Sequence, residues 1–84
     1  MNVSIDHVLE IVGEYVARTK GHATGTLAAD TPLMSGGFVD SFGLAELISE
    51  LERRFEMTLA DGSLIPEDFE SVRTLTQRLE EISS

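Results

Sequence analysis

The residues best placed to do chemistry lie in the stretch Gly37-Phe38-Val39-Asp40-Ser41-Phe42-Gly43-Leu44, where a serine hydroxyl falls between a glycine loop and an apolar helical pattern. Unpaired backbone N–H groups and the positive end of the helix dipole meet at such a junction. An anion attached to Ser41 therefore gains stabilisation there, and a phosphodiester suits the place. Gly36 and Gly37 put no side chain ahead of the hydroxyl, which leaves it open to a modifying enzyme. Taken alone, an Asp-Ser pair before an apolar run is also what an ordinary helix start looks like, with Asp40 as its N-cap.

Other chemical readings are poorer. His7 and His22 are the only histidines, their separation matches no compact metal site, and both read as surface residues. Ser41, His22 and Asp40 can be written as a nucleophilic triad, but neighbourhood in sequence supplies no triad geometry and no glycine elbow joins a strand to a helix. The segment from Met57 to Ile65 has a faint look of a calcium loop around Asp61-Gly62, yet Met57 and Leu59 occupy ligand places that need oxygen. The chain has no cysteine, which excludes disulfides, thiolate zinc sites and a thiol nucleophile. Any thioester chemistry must borrow its sulfur. No catalytic or metal-ligating set is expected.

The elements that position Ser41 follow from periodicity. Ile5, Val8, Leu9, Val12, Tyr15, Val16 and Thr19 recur at helical spacing, with Ser4 as N-cap, Asp6 in the first turn, Lys20 in the last and Gly21 beyond the end. Between Gly21 and Val39 the pattern lapses into a long loop, which Leu27, Leu33, Met34 and Phe38 should pack over the helices. A second helix begins at Asp40-Ser41 with the stripe Leu44, Leu47, Ile48, Leu51 and Phe55. Its other face, Glu46, Ser49, Glu50, Glu52, Arg53, Arg54 and Glu56, is expected to stay in water. Pro66 opens a short helix through Phe69, and Ser71 caps a last one built on Val72, Leu75, Leu79 and Ile82. The fold class is all-α: a small four-helix bundle with three main helices, one short one and a long first loop.

Eighty-four residues make one domain, 1–84, and a chain this short buries only roughly 60–65% of its unfolded surface, which leaves little room for a deep active site. Six basic against fifteen acidic residues, a formal charge of -9, repel nucleic acid and anionic lipid and favour proteins with basic patches. No run of about 18 apolar residues occurs, and the N-terminus has no basic region followed by an apolar core, so a soluble, cytoplasmic monomer is expected.

Asp30-Thr31-Pro32-Leu33 and Gly37-Phe38-Val39-Asp40-Ser41-Phe42 resemble the acyl carrier protein family, which includes the peptidyl and D-alanyl carriers. Glu46-Leu47-Ile48 and Leu51-Glu52 with Phe55 look like that family's second helix, and Phe69-Glu70-Ser71-Val72 with Leu75 like the start of its last, so the likeness spans almost the whole chain. The resemblance implies that a phosphopantetheinyl transferase attaches 4'-phosphopantetheine to Ser41, and that the arm's thiol carries acyl or aminoacyl groups between a loading enzyme and downstream synthases or transferases. It further implies that Asp40 helps the transferase recognise the site and that Phe42, Glu46 and Glu52 belong to the partner-binding surface. Gly43, Arg53 and Arg54 stand where typical fatty-acid carriers are acidic. That departure favours a dedicated polyketide, nonribosomal peptide or aminoacyl-transfer pathway over housekeeping fatty acid synthesis. The alternative is an acidic helical interaction module that is never modified. A small hydrolase using Ser41 is a third possibility.

Overall fold

In a computed structural model of the chain, residues 3–21, 27–59 and 62–83 are described. His22 and Asp61, invoked above for the triad and the calcium loop, lie outside them. Three α-helices and one 3-10 turn make up the regular structure of the described residues, with no strand among them.

Helix α1 runs from Ile5 to Lys20. Ser4 starts it by accepting the His7 N–H at 3.4 Å, and Gly21, left-handed at φ 76°, ends it by donating to the Ala17 carbonyl at 3.2 Å. Val8, Ile11, Val12, Tyr15 and Val16 are buried. The buried stripe differs from the expected one: Ile11 and Gly13 lie inside as well, Ile5 and Leu9 are half-buried against the core, and Thr19 is exposed with its hydroxyl on the Tyr15 carbonyl at 2.8 Å. His7 is not a free surface residue either. It is half-buried, its ring edge-on to Phe55 with centroids 4.8 Å apart.

Helix α2 spans Ser41–Phe55 and buries Leu47, Leu51 and Phe55, with Leu44 and Ile48 half-buried beside them. Its C-terminus turns at Glu56, in the left-handed region at φ 52°. The Glu56 and Met57 N–H groups both donate to the Glu52 carbonyl, the latter at 3.1 Å. The 3-10 turn, Pro66–Phe69, begins with a proline that has no N–H to satisfy and seats Phe69 fully inside. Helix α3, Val72–Ser83, starts at Ser71, whose hydroxyl accepts the Thr74 N–H at 3.2 Å. Val72, Leu75 and Leu79 are buried, and so is Thr76, whose hydroxyl donates to the Val72 carbonyl at 2.8 Å.

The described part of the long loop is packed, as its apolar residues imply. Leu27, Leu33 and Val39 are buried, and Met34 and Phe38 lie against the core. Leu33 is its anchor. The Leu33 N–H donates to the Glu70 carbonyl at 2.8 Å, and the Leu33 carbonyl accepts from Phe38 at 2.9 Å and Val39 at 3.0 Å. Arg73 fastens the loop to α3, its N–H on the Ala29 carbonyl at 3.0 Å and its guanidinium on both carboxylate oxygens of Asp30 at 2.7 and 3.2 Å. Among the described residues no helix is long and apolar enough to cross a membrane.

Candidate functional site

The loop leaves Val39 inside the core and delivers the chain to the surface one residue later, at Asp40. Asp40 is extended at φ -113° and ψ 178°, its carboxylate accepts the Gly43 N–H at 2.8 Å, and its carbonyl accepts the Leu44 N–H at 3.1 Å. Ser41 is therefore the first residue of α2, and it is exposed. With the Gly43 donor capped, the N–H groups of Ser41 and Phe42 are what the first turn offers an anion. Phe42, the next residue, has 86% of its surface in solvent.

Of the two glycines ahead of the serine, Gly37 faces open space, with a left-handed φ of 81°, whereas Gly36 does something other than clear the approach. A Cβ on Gly36 would lie 2.2 Å from the Pro32 carbonyl oxygen and 3.3 Å from the Phe38 ring, so that glycine exists to let the loop fold tightly on itself. Gly43 is likewise a packing residue. A Cβ there would sit 2.1 Å from the Tyr15 hydroxyl oxygen and 3.3 Å from an Asp40 carboxylate oxygen. Gly43 is buried, so its lack of charge takes nothing from a recognition face to which the position does not belong.

The acids of α2 divide into two kinds. Glu46 is exposed. Glu52 is half-buried, and its carboxylate accepts the Leu59 N–H at 2.7 Å, which ties down the chain after the helix. Glu50 is also drawn in, its side chain only 12% exposed beneath two arginines. Arg53 bonds it at 2.6 Å and Arg54 at 3.3 Å, while Arg54 also reaches Glu14 of α1. The Arg53 hydrogen bond, followed by the other arginine contacts, holds the Glu50 carboxyl below the usual carboxylate range, and the Glu14 contact raises Arg54. Both arginines that depart from the fatty-acid pattern are thus paired with acids, and the expectation that this whole face stands free in water gives way at Glu50 and Glu52. Among the described residues no group of His, Asp or Glu side chains is arranged to hold a metal ion.

An exposed serine at a capped helix start, in a helical bundle of this topology, is matched by a family model. The model describes a phosphopantetheine attachment site and aligns to residues 8–79. The chain belongs to the phosphopantetheine-attachment family. Among solved structures, an apo peptidyl carrier protein, KstB-PCP, is similar at 25% identity with a TM-score of 0.73, the alignment covering 96% of this chain and 91% of that one. No curated protein matches the chain. The family is one of carriers and not of enzymes, and its prosthetic group is covalent 4'-phosphopantetheine. The carrier's residues fit that group. It has an exposed hydroxyl to esterify, helix-start donors for the phosphodiester and no thiol of its own, so the sulfur the arm supplies is the one missing from the chain.

Sequence reasoning placed Tyr15 in the core and stopped there. Its ring is core, but its hydroxyl reaches the first turn of α2 beside Asp40. A polar tip on a buried stripe needs a partner, and a glycine in the opening turn of the next helix was the available sign of where it goes.

Proposed function

We propose that this carrier receives 4'-phosphopantetheine on Ser41 and shuttles aminoacyl or peptidyl groups as thioesters within a dedicated biosynthetic pathway. The observation that carries the assignment is the exposed hydroxyl at the first residue of α2, below a capped turn and beside an exposed phenylalanine. In the transfer, the Ser41 oxygen forms a bond to the phosphorus that bears the pantetheine arm and the pyrophosphate bond of coenzyme A breaks. The nucleotide bisphosphate leaves, and the serine proton passes to a base on the transferase. When attached, the arm supplies a thiol that forms thioesters. The chain's own residues would then hold the root of the arm, the Ser41 and Phe42 N–H groups of the helix start being the donors available to a phosphodiester.

Aminoacyl or peptidyl cargo is favoured over fatty acyl cargo by the likeness to the peptidyl carrier protein and by the paired arginines on α2. Phe42 and Glu46 are the docking residues that stand free for a transferase, a loading enzyme and downstream synthases. Glu52 contributes to the same face mainly by shaping it. The decisive experiment incubates the protein with coenzyme A and a broad-specificity phosphopantetheinyl transferase and compares intact masses of wild type and Ser41→Ala. Wild type should gain one phosphopantetheine and the variant none. A wild type that gains nothing would favour an unmodified interaction module, and a variant that gains the group would move the site elsewhere.

A further inference from the structure

Tyr15 lies on α1, 26 positions before the serine, and is 3% exposed, yet its hydroxyl sits against the α-carbon of Gly43 in the opening turn of α2. A Cβ on Gly43 would overlap that oxygen at 2.1 Å and crowd the ring carbon bearing it at 3.1 Å. The same small space is bordered by the Asp40 carboxylate oxygen that caps the Gly43 N–H, at 3.3 Å from where the Cβ would be. Among the described residues no fully buried side-chain oxygen lacks a hydrogen-bond partner, and the Asp40 oxygen, at the surface, has the Gly43 N–H at 2.8 Å. The tyrosine is held from behind as well, with the Arg18 guanidinium 5.8 Å from its ring centroid.

We infer that Tyr15 is a positioning residue for the modification of Ser41: its hydroxyl, seated on Gly43, fixes the first turn of α2 against α1 and so sets how Asp40 and Ser41 are presented to the transferase. The inference rests on Ser41 being the attachment residue. Its physical basis is that Asp40, Ser41, Phe42 and Gly43 form one turn. Any shift that relieves Gly43 swings the cap and the nucleophile with it. Tyr15 touches no reacting atom; it acts through Gly43 and Asp40.

The geometry prescribes a double-variant cycle. Gly43→Ala alone forces Cβ onto the hydroxyl, and kcat/KM for phosphopantetheine transfer should fall about tenfold, as small misplacements of a reacting group do. Tyr15→Phe keeps the ring and removes the oxygen, and should cost about fivefold, the factor expected for one lost hydrogen-bonding group. In the Tyr15→Phe background Gly43→Ala should cost little more, because the closest remaining atom is the ring carbon at 3.1 Å. Backbone amide resonances of Ser41 and Phe42 in the unmodified proteins should move in Gly43→Ala and return toward the Tyr15→Phe positions in the double variant. All rates are taken at a temperature where circular dichroism shows every variant folded.

Additive losses in the double variant would overturn the inference, as would rates that follow melting temperature alone. A Tyr15→Phe protein modified as fast as wild type would do the same. Failure of wild type itself to accept the group would instead remove the assignment of Ser41, and the positioning role with it, so the two ideas fail by different results.

Discussion

Substituting Asp40 can separate its structural role from its recognition role, and the structure gives the sizes. The carboxylate accepts the Gly43 N–H at 2.8 Å and satisfies one of the donors a helix start leaves unpaired. Asp40→Ala removes that acceptor, a loss of about 1 kcal/mol for a typical N-cap. Asp40→Asn keeps an acceptor of the same reach and loses only the charge at the positive end of the helix dipole, worth about 0.3–1 kcal/mol at an exposed site. The net charge of -9 opposes both losses, because either change relieves some self-repulsion, and it does so equally. The difference between the two variants therefore isolates the cap hydrogen bond. For a domain of this size 1 kcal/mol moves the melting temperature by roughly 4–8 °C. Asp40→Ala should melt about 5 °C below wild type and Asp40→Asn about 2 °C below it, followed by far-UV circular dichroism.

The rate of phosphopantetheine transfer should sort the same proteins differently. If the transferase reads the Asp40 charge, Ala and Asn are slowed alike, although only Ala is much destabilised. Equal melting temperatures for the two variants would refute the cap reasoning. Transfer rates that rank with stability, Asn close to wild type and Ala well below, would refute the recognition role and leave Asp40 a helix cap only.

Two further outcomes follow from the acids of α2. Glu46→Lys should not lower the melting temperature and should slow loading by a basic partner enzyme most at low salt, where screening is weakest, whereas Glu52→Lys should lower the melting temperature by itself, because the Leu59 N–H loses its acceptor at about 1–3 kcal/mol. Stopped-flow loading at two salt concentrations and thermal melts of both variants check this, and a salt-independent effect of Glu46→Lys would remove it from the docking surface. The arginine pairing, Arg53 first, lowers the folded-state pKa of Glu50, so its contribution is present above the ordinary carboxylate range and is lost as pH falls through the lowered value. The melting-temperature gap between wild type and Glu50→Gln should accordingly be open at neutral pH and close in acid, and a gap that ignores pH would show that the pair adds nothing.

Helix ends were legible in the sequence because they are settled within a few residues. Ser4, Gly21, Asp40 and Ser71 each act on a backbone group no more than four positions away. Leu33 was legible as an apolar residue that should pack over the helices, although not as the anchor it is. The misread residues depend on distant parts of the chain. Ile11 lies inside and Thr19 outside because other elements decide where the edge of the buried face falls. Gly36 looked like open space, and Gly43 only like a missing charge. Whether a missing side chain means openness or a close approach cannot be told until the Pro32 carbonyl and the Tyr15 hydroxyl are seen against them. Glu52 looked like a free surface charge because its partner, the Leu59 N–H, is brought back by a turn whose left-handed residue is a glutamate, where local preference would have asked for glycine.

The positions of these supports explain why an exposed serine sits on so well-tied a base. From behind, α1 contributes the Tyr15 hydroxyl to the turn that holds Ser41; from the side, the Glu70 carbonyl and Arg73 fix the loop that leads into it. A flexible arm raises the effective concentration of its cargo at a partner's active site only within the distance it can sweep from its root. On the proposed reading, with Ser41 as the root and Phe42 and Glu46 as the docking residues, a wandering root would spread the arm's reach over orientations in which those two residues no longer meet the same partner. Mobility is useful in the arm and harmful at its anchor, and the buried Tyr15 and Gly43 at the first turn of α2 are what the inferred positioning role would use to hold that anchor still.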